Sequence, residues 1–231
     1  MLEEKLEGGG CACVVVNTVK CAQEIYQRIN EAMTNVHTCL YHAQFTMPDR
    51  ANKEQELLKH MGKKSTSIER DKYILIGTQV LEQSLDYDAD ILVTQLCPID
   101  LLLQRIGRLH RHSGRKRPNA MKTPQCIVLR DENLPYDAGT KAVYGDYLLK
   151  RTQDIMPEKI SIPEDIAPLV QSVYSDNYEY ETNDTSYVKA KEEFDTMLKT
   201  KKENAKNYLL GKPSISFHSS LLNSEASGEK V

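Results

Sequence analysis

Through the first 130 residues, short apolar runs rich in β-branched side chains alternate with stretches of helical periodicity. Cys11 to Val16 is unbroken and apolar and predicts a buried strand. Asn17 and Thr18 then offer a cap for a helix to about Asn30, with Val19, Ala22, Tyr26 and Ile29 on one face. Val36 to Tyr41 predicts a second strand, and Thr46-Met47-Pro48 opens a helix that Gly62 ends, proline being tolerated in a first turn. Lys72 to Ile76, Ile91 to Gln95 and Gln125 to Leu129 predict three more strands. A turn with a short helix fills Gly77 to Leu85, and a helix follows Pro98.

Strands joined by helices rather than tight hairpins imply crossovers and a parallel sheet covered on both faces. Ligands of such sheets gather beyond the carboxyl ends of the strands. Polar clusters lie at those ends: Asn17-Thr18 after the first strand, His42-Ala43-Gln44 after the second, Gly77-Thr78-Gln79 after the third. One crevice is expected to collect them together with the helix after Pro98. Beyond about residue 130 the pattern turns to helices and loops. Ile166, Leu169, Val170, Val173 and Tyr174 have the spacing of an amphipathic helix, and Val188 to Leu210 predicts a longer, charged one. The Ser-rich stretch from Lys212 is expected to stay unstructured. The expected organisation is a parallel α/β domain over 1–135, a helical extension over 136–210 and a tail over 211–231.

Composition narrows the class. No apolar run is long enough to cross a bilayer, and the N-terminus has an acidic, glycine-ended start rather than a signal peptide, so a cytoplasmic location with no membrane contact is expected. The six cysteines sit mostly in apolar runs and read as small buried thiols; none has the spacing of a zinc site, and no metal site is expected. A net charge of -3 argues against a chain that coats nucleic acid by bulk electrostatics. Yet Arg105, Arg108, Arg111, Arg115, Lys116 and Arg117 fall within thirteen residues that contain no acid.

On a helix, Arg105, Arg108 and Arg111 would form one slowly drifting stripe. Planar guanidinium forks suit phosphate oxygens, whether of a nucleotide or of a nucleic-acid backbone. Arg115-Lys116-Arg117 reads instead as a solvated loop that brushes nucleic acid. Asn17-Thr18 would cap a helix with or without a ligand, and His42 could be an ordinary strand-end histidine.

The segments NTVKCAQEIYQ, YHAQFTMPDR, GTQVLEQSLDYDADIL and PIDLLLQRIGRLHRH together resemble the second RecA-like domain of a superfamily 2 helicase. The TQVLEQSLD string, the arrangement of His42, Phe45, Asp49 and Arg50, and QRIGRLHRH followed by a basic loop resemble more narrowly the CRISPR-associated helicase-nuclease of type I systems. The resemblance implies a RecA-like parallel sheet with helices on both faces, followed by a mainly helical C-terminal extension. It implies that Arg108 and Arg111 act catalytically as arginine fingers on ATP, with Gln104 and Arg105 supporting them and Asp86 near the nucleotide ribose. It also implies nucleic-acid contacts from Asn17, Thr18, Lys20, His42, Thr78 and Gln79. ATP with Mg2+ would be held mainly by a first RecA-like domain. The implied partners are that domain, on the same or a separate polypeptide, single-stranded DNA and the CRISPR target-recognition complex.

The chain contains no G-x-x-x-x-G-K-[ST] loop and no His-Asp dipeptide, and Asp131-Glu132 reads as a loop. By itself it is expected to hydrolyse ATP negligibly and to cut no DNA. Half of an RNA helicase, or a RecA-like module kept only for docking, are the alternatives.

Overall fold

The computed structural model describes residues 1–82, 85–131, 136–175 and 185–206. Five strands form one sheet: β1 (Cys11–Val15), β2 (His37–Tyr41), β3 (Tyr73–Gly77), β4 (Ile91–Gln95) and β5 (Cys126–Leu129). The order is β2-β3-β1-β4-β5 and every pairing is parallel. Each residue of β1 and β3 is buried, which is why both read as unbroken apolar runs rather than as alternating ones.

Helices cover both faces. On one, α1 (Leu2–Leu6) and α2 (Val19–Ala32) pack Leu6, Ala22, Ile25, Tyr26 and Ile29 against Ala12, Val14, Ile74, Ile76, Ile91 and Val93. On the other, α3 (Met47–Met61) lays Leu57 and Met61 against Cys13, Val15, Cys39, Tyr41 and Leu75. Fully burying a leucine, isoleucine or methionine, as at Leu6, Leu57, Met61, Ile74 and Ile91, contributes about 1.5–3 kcal/mol each. The caps follow the sequence: Thr18 Oγ1 accepts from the Cys21 amide at 3.2 Å, and Thr46 Oγ1 accepts from the Asp49 amide at 3.4 Å.

Helix α4 (Ile99–Ile106) follows β4. It is shorter than the arginine stripe requires, and the expectation that Arg105, Arg108 and Arg111 share one helix is overturned. At Gly107 the chain leaves the helix to pair with the segment before β4: the Ala89 amide donates to Arg108 O at 2.9 Å and the His110 amide to Ala89 O at 3.0 Å. His110 takes a left-handed conformation, φ +51°, as the chain turns away.

Past β5 come α5 (Ala138–Tyr144), α6 (Asp146–Ile155), α7 (Ile166–Tyr174) and α8 (Thr185–Lys206). Leu169 and Val173 of α7 join Ile99, Leu102 and Leu103 of α4 in a third apolar cluster, as the periodicity around Ile166 predicts. Met1–Glu192 forms one compact unit and Glu193–Val231 a second. Gln83 and Ser84 of the TQVLEQSLD string, Glu132, residues 207–210 and the tail over 211–231 lie outside the described residues. No described helix is long and apolar enough to cross a membrane.

Candidate functional site

Strand order changes direction at β1, so the crevice between the carboxyl ends of β1 and β4 is where such a sheet would take a ligand. Arg105 fills it from inside the molecule. Its side chain is 0% exposed, and it donates to Glu82 Oε1 at 2.8 Å, Thr94 Oγ1 at 2.7 Å, Gln95 O at 3.1 Å, Asn17 Oδ1 at 3.2 Å and Tyr144 Oη at 3.2 Å. Asn17 is equally committed: its amide nitrogen donates to Leu96 O at 2.8 Å and Thr140 Oγ1 at 3.1 Å, while its backbone carbonyl accepts from Gln79 Nε2 at 2.8 Å. A buried polar group must find partners or lose stability, and here the partners come from four loops and helices at once. Gly77, at the end of β3, lets the loop after that strand lie against β2, because a Cβ there would lie 2.3 Å from Tyr41 O and 2.7 Å from Leu81 Cδ1.

Glu82 links this cluster to the arginines beyond the helix. Its carboxylate holds Arg105, and its backbone carbonyl accepts from Arg108 Nη2 at 2.7 Å. Burial is the strongest influence on the Glu82 carboxyl and pushes its pKa up, with the Arg105 charge working against it. Arg108 is half-buried, its guanidinium carbon lies 5.7 Å from the centre of the Tyr87 ring, and its Nε is buried without a hydrogen-bond partner. Arg111 is different. It donates from Nε to Asp86 Oδ1 at 2.7 Å with both side chains in solvent, 42% and 56% exposed. Hydrogen bonds from Arg111 and His112 hold the Asp86 carboxyl below the usual carboxylate range.

The expected single crevice is therefore two sites. Asn17, Gln79 and Arg105 meet at the strand ends, whereas Asp86 and Arg111 pair at the surface beside the segment that precedes β4. Thr78 is buried, Thr18 caps α2, Gln104 is exposed on α4, and Lys20 is exposed with Glu24 at 4.0 Å. His42 is buried with its ring stacked on Phe45 at 4.2 Å, and its Nδ1 accepts from the Gln44 amide at 3.3 Å. Burial, with Lys53 second, lowers its pKa.

Arg115 and Arg117 do not belong to a solvated loop, which corrects the reading of that run. Arg115 Nε lies 2.8 Å from Asp88 Oδ2, and Arg117 Nη2 donates to both oxygens of Asp88 at 2.9 Å and pairs with Asp90 from Nη1. Arg70 completes the group at 2.9 Å from Asp90 and 3.4 Å from Asp88. Both aspartates are buried, so three guanidiniums surround two carboxylates inside the protein. Only Lys116 of the run is exposed. The missed signal was the alternation Asp86-Tyr87-Asp88-Ala89-Asp90 just before a buried strand. Arg111 and His112, with Arg70 and Arg115 of this cluster, line a cavity of about 480 Å³ that Lys63 and Lys116 also line.

The cysteines are free thiols, and burial pushes Cys13, Cys97 and Cys126 up to about 12.

Comparison with known proteins gives a consistent picture. Residues 8–114 match the family described as CRISPR-associated nuclease/helicase Cas3, C-terminal. The CRISPR-associated nuclease/helicase Cas3 of Streptococcus thermophilus is 43% identical over 218 residues, 92% of this chain and 23% of that protein. The corresponding Escherichia coli K12 protein is 37% identical over 185 residues, 76% of this chain and 20% of the relative. A crystal structure of T. fusca Cas3 with ATP superposes with a TM-score of 0.82 at 30% identity, over 91% of this chain and 24% of that one. A chain of a CRISPR RNA-guided surveillance complex in a pre-nicking state superposes with a TM-score of 0.75 at 30% identity, over 87% of this chain and 25% of that one. The chain thus spans about a quarter of the length of these relatives.

Proposed function

The chain resembles the second RecA-like domain of the CRISPR-associated nuclease/helicase Cas3 proteins, and on that premise we propose that it is the C-terminal motor half of an ATP-dependent helicase that moves along single-stranded DNA. The other half is a first RecA-like domain, on the same or a separate polypeptide, which holds most of the ATP. Magnesium accompanies the nucleotide there. Among the described residues no group of three or more His, Cys, Asp and Glu side chains could hold it.

One observation carries the reading: Arg111 is paired with Asp86 at the surface while the loop that bears it is fastened from within. An exposed ion pair contributes only about 0.2–1 kcal/mol, so Arg111 can leave Asp86 for a phosphate at little cost. The buried Asp88 and Asp90 cluster keeps that loop in place meanwhile. Phosphoryl transfer is accelerated by positioning and by neutralising charge, and an inserted arginine raises turnover by roughly 10³ to 10⁵. Freed from Arg111, Asp86 becomes available to a ribose hydroxyl. Arg108, fixed by the Glu82 carbonyl, is the second finger. Arg105, fully buried, acts at one remove by holding Glu82. ATP closes the cleft between the two lobes and hydrolysis reopens it, which advances the strand.

DNA contacts are chiefly to the backbone, so binding shows little sequence preference and weakens with salt. Thr18, Lys20 and Gln79 line the strand ends that meet the DNA, with Asn17, His42 and Thr78 shaping those loops from inside. The surveillance complex is the partner that delivers the strand. The test is to combine the chain with a first RecA-like domain and measure ATP hydrolysis with matched DNA and RNA strands. Hydrolysis stimulated by single-stranded DNA is expected; stimulation by RNA alone points to an RNA helicase half. Burial of Asn17, Thr78 and Arg105 favours one other reading, a non-catalytic docking module, and absence of any restored ATPase would select it.

A further inference from the structure

Helix α5 lies beyond residues 8–114, yet it reaches into the strand-end cluster with two side chains. Tyr144 Oη accepts from Gln79 Nε2 at 3.1 Å and from Arg105 Nη2 at 3.2 Å. Two donors from different loops thus converge on one phenol oxygen. Thr140 Oγ1 accepts from Asn17 Nδ2 at 3.1 Å, four residues earlier and so on the same face of α5. Two acceptors on one short helix thereby hold the loop after β1, the loop after β3 and the end of α4.

The helix also sits close. A Cβ on Gly139 would lie 2.8 Å from Thr18 Cγ2, so the first turn of α5 touches the residue that caps α2. Asp137 fixes that turn, its Oδ1 accepting from the Thr140 amide at 3.0 Å. Burial pushes the Tyr144 phenol up to about 12, which keeps it neutral and able to act only as a hydrogen-bonding group near neutral pH. Glycine at 139, a cap at 137 and acceptors at 140 and 144 all serve one contact.

We propose that Thr140 and Tyr144 of α5 are positioning residues that set the shape of the loops after β1 and β3, and thereby how the motor couples single-stranded DNA to ATP hydrolysis. The coupling rests on the function proposed above; the loop-shaping can be measured without it. Removing the Thr140 hydroxyl costs Asn17 one partner, removing the Tyr144 hydroxyl costs Gln79 and Arg105 one each, and the loops then open more often.

The test uses Tyr144→Phe and Thr140→Val, with Thr140→Ser as the conservative variant that keeps the hydroxyl. In the full chain, backbone amide exchange at residues 16–18 and 78–81 is expected to quicken roughly 3- to 10-fold in the Val variant, as for one lost hydrogen bond, by at least as much in the Phe variant, which loses two, and to stay at the parent rate in the Ser variant. In the two-lobe assembly, the DNA concentration that half-maximally stimulates hydrolysis is expected to rise by about the same factor in the first two variants, more than the maximal rate falls, with Ser behaving as parent. Unchanged exchange overturns the positioning role. Quickened exchange with parent DNA response overturns the coupling. An assembly whose parent form shows no DNA-stimulated hydrolysis overturns the motor reading and the coupling with it, while the loop-shaping role is decided by exchange alone.

Discussion

Asp88→Asn is the sharpest probe of what holds the arginine loop. The wild-type side chain is 0% exposed and meets Arg117 through two bonds at 2.9 Å, Arg115 at 2.8 Å and Arg70 at 3.4 Å. Asparagine keeps the shape but removes the charge, leaving three buried guanidiniums against Asp90 alone. Breaking a buried ion pair by removing one partner costs about 3–5 kcal/mol, because the remaining charges stay desolvated. For a unit of this size about 1 kcal/mol moves the melting temperature by roughly 2–4 °C, so a fall of about 6–20 °C follows. Asp86→Asn supplies the control, since its exposed pair with Arg111 contributes at most about 1 kcal/mol. The chain has 12 tyrosines and no tryptophan, so urea unfolding followed by tyrosine fluorescence and circular dichroism reads both variants. The slope with urea must match wild type for the midpoint shift to be a stability change. If Asp88→Asn lost no more than Asp86→Asn, the cluster would not be what fastens the loop.

Other expectations bear on the same interior. Arg105→Lys replaces five bonds, to Glu82, Thr94, Gln95, Asn17 and Tyr144, with an ammonium that has three donors and no planar fork, and should cost on the order of 3 kcal/mol in urea unfolding; a cost below about 1 kcal/mol would mean the crevice tolerates repacking. Stability should also fall with acid in two stages. Burial holds His42 and His110 below the ordinary histidine pKa, helped by Lys53 and Arg117 respectively, so the unfolded chain takes up protons first and stability declines as pH drops below about 6.5. Burial raises the Asp90 pKa, but Arg70, the Cys11 amide and Arg117 outweigh it and hold the group low; its contribution is present above about pH 3.9 and is lost as pH falls through the folded value. Melting curves between pH 8 and pH 3 check both stages, and a flat profile from 7.5 to 5 would contradict the first.

The centre of the sheet was readable because β1, β3 and β4 are buried on both faces, and such strands cannot hide as alternating patterns. Helix α7 announced itself through Ile166, Leu169 and Val173. Where Arg108 and Arg111 sit was not readable, because Gln104 to Arg111 has acceptable helical spacing. What ends the helix is a pairing of Arg108 and His110 with Ala89, about twenty residues back in the chain. Local periodicity carries no trace of a hydrogen bond made at that distance. The same holds for Arg115 and Arg117: beside Lys116 they look like solvated charge, and only the distant Asp88 and Asp90 make them interior residues. Asn17 reads as a strand-end polar group, but sequence cannot tell a group turned toward a ligand from one turned toward Arg105, as Asn17 is.

The proposed role of Arg111 is to complete, from this lobe, an ATP site that another lobe begins. Arg111→Ala in the two-lobe assembly, with single-stranded DNA present, measures it most directly. Turnover is expected to fall on the order of 10³-fold while ATP affinity is largely kept, since in the proposed role the guanidinium acts on transition-state charge. Turnover equal to that of the parent assembly would contradict it.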